Sequence, residues 1–351
     1  MSNIISKKRM REILTSFMKD HLVAAPVQVG KIVDFLPVDD ASKILMGDEI
    51  PYKSPKEFFF PQCEKIITFG EHEAVAETHD KGLVLFGAKP CDLEALKILT
   101  AIFSTGQFRD DFFMARLDAS LIIGVSCVDK KPGCFCELRE TDMYYSEACD
   151  LFLKDVGDDY EVLYVSDKGR EAFSEFIGDV TIEDEHRGDE HRGDGSLCVR
   201  EQTQREPSPL CSSPLCSPEP SRLSLDGCEL EMFDKIDWEK YTEICQGCGL
   251  CTFICPTCHC FDFKDVEENG NICRYRNWDS CMFPKFTVHA SGHNPRASIK
   301  ERYRQRVLHK YSYIPKNFGY VSCTGCGRCI RSCPAGVNIR SIVEGITEDL
   351  S

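Results

Sequence analysis

Two short runs hold most of the chemistry legible in the chain. Cys245-Gln-Gly-Cys248-Gly-Leu-Cys251-Thr-Phe-Ile-Cys255-Pro256 sets three thiols at intervals of three residues and a fourth before a proline. Cys323-Thr-Gly-Cys326-Gly-Arg-Cys329-Ile-Arg-Ser-Cys333-Pro334 repeats the pattern. This is the spacing of bacterial-type iron–sulfur binding. A cubane needs several soft thiolates converging on one small volume, and a loop curling through small residues such as Gly247 and Gly249 delivers three of them. In two-cluster proteins the fourth cysteine of each run serves the other cluster. The expected ligand sets are therefore crossed: Cys245, Cys248 and Cys251 with Cys333, and Cys323, Cys326 and Cys329 with Cys255. The competing chemistry is zinc, because Cys-x2-Cys pairs also build zinc ribbons. A third cysteine at the same pitch and a Cys-Pro ending in both copies favour iron–sulfur.

Elements must position these thiols. Residues 7–20 have Met10, Ile13, Leu14, Phe17 and Met18 at helical spacing and predict an amphipathic helix packed on the first domain. Residues 64–69, 83–88, 121–126 and 161–166 read as strands. The second and third of these are apolar without alternation, as buried strands are. Residues 92–103 predict a helix with Asp92 as N-cap. The fold class is an α/β N-terminal domain, 1–180, followed by a mainly α-helical two-cluster ferredoxin domain, 228–351. Between them, 181–227 repeats Asp-Glu-His-Arg-Gly and then runs into a Ser/Pro-rich tract, so it predicts a low-complexity flexible insertion. Its His186, His191, Cys198, Cys211, Cys216 and the adjoining Cys228 lack a packed frame and are not expected to hold a metal.

Between Cys255 and Cys323 lie 67 residues, more than a compact ferredoxin uses, and much of that gap looks helical. Ser298 with Glu301 three residues on makes a capping box. Ile299, Tyr303 and Val307 form one face of the helix that follows, and Arg302, Arg306 and Lys310 another. The default for the basic face is solvation; the alternative is that these cations offset negative clusters and raise their potentials.

A further set of thiols falls at predicted strand ends of the first domain: Cys91 in Lys89-Pro-Cys91-Asp92, Cys127, and Cys134 and Cys136 in Pro132-Gly-Cys134-Phe-Cys136. Loops past the ends of parallel strands converge on one crevice, and a helix start beside Cys91 favours an anionic cluster. Cys91, Cys127, Cys134 and Cys136 thus form a candidate third [4Fe–4S] site, against the alternative that they pack as small hydrophobes. Cys258, Cys260, Cys273 and Cys281 are left over as weaker candidates for an extra centre or for thiol chemistry. His289, His293 and His309 are expected to be structural.

The totals set bounds. The chain has 351 residues, 42% of them hydrophobic and 28% charged, as a soluble globular protein of two or three domains would. A net charge of -15 argues against nucleic acid as a partner. No secretory leader or membrane-length apolar stretch is evident. The 22 cysteines therefore read as metal or redox ligands in a cytoplasmic chain rather than as disulfides.

Several motifs together resemble one family. They are Gly87-Ala-Lys-Pro-Cys-Asp92, Pro132-Gly-Cys-Phe-Cys136, Cys255-Pro-Thr-Cys-His-Cys-Phe-Asp262, Trp278-Asp-Ser-Cys-Met282, Ser291-Gly-His-Asn-Pro-Arg296 and Arg302-Tyr-Arg-Gln-Arg-Val-Leu-His-Lys310. The family contains beta subunits of soluble (sulf)hydrogenases, the corresponding iron–sulfur subunit of anaerobic sulfite reductase and related subunits coupled to heterodisulfide reductase. The resemblance covers most of 60–150 and 229–340 and does not extend to 181–227. It implies three [4Fe–4S] clusters, a role as electron conduit, and a separate partner subunit that carries FAD and a nicotinamide-binding fold. No Gly-x-Gly-x-x-Gly after a strand and no Walker loop supports a nucleotide site in this chain. The expected function is thus an electron-transfer subunit of a cytoplasmic oxidoreductase complex, relaying single electrons between that flavin-carrying partner and a catalytic subunit. The alternatives are a reductase in its own right, using an open cluster or Cys258 and Cys260, and a zinc-stapled scaffold.

Overall fold

The computed structural model describes residues 4–77, 82–105, 109–139, 141–177, 225, 232–233 and 235–350. Almost all of the expected flexible insertion, with its histidines and cysteines, lies outside the described residues.

The N-terminal part is built on a seven-stranded sheet in the order β1-β9-β8-β7-β6-β2-β3. Its strands are β1 (Ile4–Ser6), β2 (Leu22–Val29), β3 (Ile32–Val38), β6 (Leu83–Ala88), β7 (Leu121–Val125), β8 (Leu151–Asp155) and β9 (Asp159–Tyr164). The central β2, β6, β7 and β8 are parallel, and the outer pairings are antiparallel. Every residue of β6 and β7 is buried, as their unbroken apolar sequences require when helices cover both faces. On one face α1 (Lys7–Phe17) buries Met10, Ile13 and Leu14 beside α5 (Asp167–Ile177). On the other lie α2 (Lys56–Phe59), α3 (Pro90–Ser104) and α4 (Asp111–Ala119), packed through Phe59, Leu93, Leu96 and Phe113.

Asp92 does not cap α3. The helix begins earlier, with Lys89 at the N-cap and Pro90 in the first turn, where a missing N–H costs nothing. That leaves the Asp92 carboxylate, inside the first turn, available for a distant partner.

The C-terminal part contains α6 (Trp238–Thr242), α7 (Leu250–Phe253), α8 (Ile299–Leu308), α9 (Ile314–Phe318), α10 (Arg328–Arg331) and α11 (Ile339–Leu350). Their shared core includes Trp238, Met282, Tyr303, Val307, Ile342 and Ile346. Both halves of the capping box at α8 form: Glu301 N–H donates to Ser298 Oγ (3.3 Å), and Ser298 N–H to Glu301 Oε2 (2.7 Å). A π-helical turn, His309–Tyr313, carries α8 on into α9.

The gap between the cysteine runs is not helical throughout. Its first third forms the hairpin β10 (Phe261–Glu268) and β11 (Asn271–Trp278), closed at Asn269 and Gly270, both with positive φ. β11 also pairs with β4 (Cys63–Phe69), which pairs with β5 (Ala74–Ala76), so one four-stranded antiparallel sheet draws on both parts of the chain. Buried Arg276 fastens this junction through Glu64 (2.6 Å) and through Asp110, while Trp278 stacks on Phe60 at 5.9 Å between ring centroids. Alternating polar residues on β10, exposed at nearly every position, conceal this strand from a search for apolar periodicity.

Candidate metal centres: thiols gathered in a row

Sequence-distant cysteines come together in three sets. Cys245, Cys248, Cys251 and Cys333 line one cavity, which Met282, Tyr303, Val337 and Ile339 make largely apolar. Cys91, Cys127, Cys134 and Cys136 line another, past the C-terminal ends of β6 and β7. Cys255, Cys323, Cys326 and Cys329 lie between. Cys329 stands in the wall of the first cavity and Cys326 in the wall of the second. The Cys134 thiol donates to the Cys326 carbonyl at 3.3 Å. The middle set therefore shares a boundary with each of the others. Among the described residues, no three His, Cys, Asp or Glu side chains are drawn together as a lone metal ion needs. Eight of the thiols, those of the first two sets, stand around two cavities.

Local backbone chemistry explains how the runs curl. Gly247, Gly249, Gly325 and Gly327 all have positive φ, a conformation in which other residues are strained. At Gly325 a Cβ would also meet the Cys136 backbone nitrogen at 2.6 Å. Phe135 N–H donates to the Gly325 carbonyl at 2.8 Å. Glycine here lets the second cysteine run lie directly on the Pro132–Cys136 turn. Backbone N–H groups aim at sulfur as well: Val337 at Cys333 Sγ (3.2 Å) and Gly247 at Cys245 Sγ (3.5 Å).

The basic face of α8 is not solvated. Arg302, Arg306 and Lys310 are all buried. Lys310 Nζ donates to Cys255 Sγ (3.3 Å), Thr257 Oγ1 (2.8 Å) and the Ser322 carbonyl (2.7 Å). Arg306 donates to Cys258 Sγ (3.2 Å) and the Cys251 carbonyl (3.0 Å). From the other part of the chain, Lys56 Nζ reaches the Cys258 carbonyl at 2.8 Å and sits 3.9 Å over the Trp278 ring. Burial pulls Lys56 down to about 8. Burial opposes the charge on Lys310 too, but the Cys255 and Cys258 sulfurs hold its pKa above the usual lysine value. Among the described residues none of Lys56, Arg306 and Lys310 has a carboxylate partner. Buried cations without a counter-charge are costly, so an anionic group bound by the neighbouring thiolates fits this environment.

Two other buried cations near the thiols do have acidic partners. Arg328 forms a two-pronged ion pair with Asp92, at 2.6 and 2.9 Å, and donates to the Pro51 carbonyl at 2.9 Å. The pair is wholly buried and joins the residue after Cys91 to the residue before Cys329. Lys89 lies 3.5 Å from Asp48 and 3.1 Å from the Ser126 carbonyl. Burial, followed by the Cys255 and Cys323 thiolates and against Arg328, pushes the Cys326 thiol up to about 11. Metal binding at such a thiol must displace its proton.

The leftover cysteines divide. Cys258, Cys260 and Cys281 line one small cavity with His259 and His309. Cys273 does not join them; it lies mid-sheet, 3.6 Å from Thr68 Oγ1. His259 and His309 face each other at 5.5 Å, and burial holds their pKa values down to about 4 and about 3. His289 and His293 pair at the surface through a backbone bond and an edge contact. The residues the sequence did not single out are Lys56 and Asp48. Nothing in their neighbourhoods marked them, because their partners are brought in from distant segments.

Residues 244–337 match the family model of the 4Fe–4S dicluster domain. The C-terminal part is thus similar to 4Fe–4S dicluster domains. Across nearly the whole chain it is similar to sulfhydrogenase 2 subunit beta of Pyrococcus furiosus, at 29% identity over 332 residues, 93% of either chain. These findings together support a hydrogenase beta-type iron–sulfur subunit. No solved structure matches the chain. No helix among the described residues is long and apolar enough to cross a membrane.

Proposed function

We propose that the chain is the electron-transfer subunit of a multi-subunit cytoplasmic oxidoreductase and carries three [4Fe–4S] clusters in a row. Cys245, Cys248, Cys251 and Cys333 hold the first; Cys323, Cys326, Cys329 and Cys255 the second; Cys91, Cys127, Cys134 and Cys136 the third. The observation that carries this reading is the middle thiol set, whose Cys329 and Cys326 also wall the two flanking cavities. When bound, such a cluster exchanges one electron with little rearrangement. The chain's own part is to supply soft ligands, to set the buried Tyr311 beside Cys323, and to place cations beside the sulfurs.

Similarity to a subunit named beta supports a multi-subunit assembly, and the partners proposed are those that the family resemblance implies. A flavin subunit with a nicotinamide site delivers or accepts electrons at one end. A catalytic subunit of the hydrogenase, sulfite reductase or heterodisulfide reductase type serves the other.

Anaerobic purification tests the proposal. About 12 irons and as many sulfides per chain are expected from three cubanes. The chain alone should be inert toward substrates and should be reduced rapidly only with its flavin partner. Stoichiometric zinc with no visible chromophore, or turnover by the isolated chain, would overturn it.

A further inference from the structure

The three thiol sets differ in the charge that surrounds them. Beside the outer set the cavity wall is mainly Met282, Pro334, Ala335, Val337 and Ile339, with Arg306 at its inner edge. Beside the third set, Lys89 and Lys131 both face Asp48, and Arg328 is bound by Asp92. Three cations there share two carboxylates, and the exposed Arg331 also donates to Cys134 Sγ at 3.4 Å. Of the buried cations with no acidic partner among the described residues, Lys310 alone donates to a sulfur of the three sets, Cys255 Sγ of the middle one; Arg306 donates to Cys258 Sγ and to the Cys251 carbonyl of the outer set, and Lys56 to the Cys258 carbonyl.

We propose that Lys310, backed by Arg306 and Lys56, makes the middle centre the electron sink of the row, filled first on reduction and emptied last on oxidation. This rests on the three-centre reading above and assigns the order of affinities within it. The physical cause is direct. Taking up an electron makes a thiolate-bound cluster more negative, and its potential follows net charge, hydrogen bonds to sulfur and solvent exposure. Water at the exposed Cys248 gives the outer set some help. A buried cation in hydrogen-bond reach of Cys255 Sγ, away from solvent, gives the middle set more. Lys310 is a positioning residue: it acts through Cys255 and bonds to no iron.

The test is an anaerobic redox titration of the full chain with its iron complement, followed by electron paramagnetic resonance and visible absorption. In Lys310→Met the ratio of reduced to oxidised highest-potential centre should fall about tenfold at fixed ambient potential, about 59 mV for one electron. Iron content and the other two centres should be unchanged. Lys310→Arg should restore most of the shift, because the charge is kept. Lys56→Met, which touches no sulfur, should shift the same centre in the same direction by less, and it carries the test if Lys310→Met does not accumulate. The proposal is overturned if neither Met variant moves the highest-potential centre, or if Cys333→Ser removes that centre. Iron far below three clusters in the unaltered chain would sink the row itself, a failure that iron analysis separates from a flat order of potentials.

Discussion

The outer and middle thiol sets are built from near-copies of one sequence run, yet their surroundings are opposite. The outer set has an apolar wall and an exposed member, Cys248. The middle set is closed in by α8, by the π-helical turn after it and by the N-terminal part, which adds Lys56 and Asp92. Ligand spacing is therefore common property, while charge and water access are decided by whatever packs against the run. Two sites with the same motif can differ in affinity for an electron without any change in the motif itself.

The sharpest break of this comparison is Cys333→Ser. It removes a soft ligand from the outer set alone and should cost about a third of the iron, about 4 of 12 atoms, with the middle signal kept. Metal analysis with paramagnetic resonance would show it, and loss of both signals would mean that the two regions are not separable. Next in size is Arg328→Ala. It leaves the buried Asp92 carboxylate unpaired, at a cost of about 3–5 kcal/mol, measurable by denaturant unfolding. The double variant Arg328→Ala/Asp92→Ala should be less damaging than the sum of its parts; strict additivity would mean that the two side chains do not act as a pair. The smallest effect is expected of Ser298→Ala, which removes one half of the capping box and should cost about 1 kcal/mol. Because α8 carries Tyr303 and Arg306, which line the outer cavity, that change should broaden the outer centre's spectrum and leave the third one alone.

Much of the sheet was legible because its central strands are continuous apolar runs. The expected spans at 83–88 and 121–126 correspond closely to β6 and β7. The α8 start was legible from Ser298 and Glu301, since a cap is a local bond. β2, β3 and the β10–β11 hairpin were not, because their sequences are short, mixed in polarity or exposed. Asp92 misled for a related reason. An acidic residue near a helix start satisfies the local rule for a cap, but its partner, Arg328, is 236 residues away.

By itself the sequence determined which atoms are available for soft metal ligation and the pitch at which each run presents them, because that spacing is a property of a few consecutive residues. It also determined that α8 has one cationic face. Tertiary structure alone decided that this face turns inward, that Lys56 joins it, and that Cys329 and Cys326 stand in the walls of two cavities lined by other thiols. Those outcomes depend on contacts between segments far apart in the chain, which set a buried lysine against the Cys255 sulfur with no carboxylate partner among the described residues.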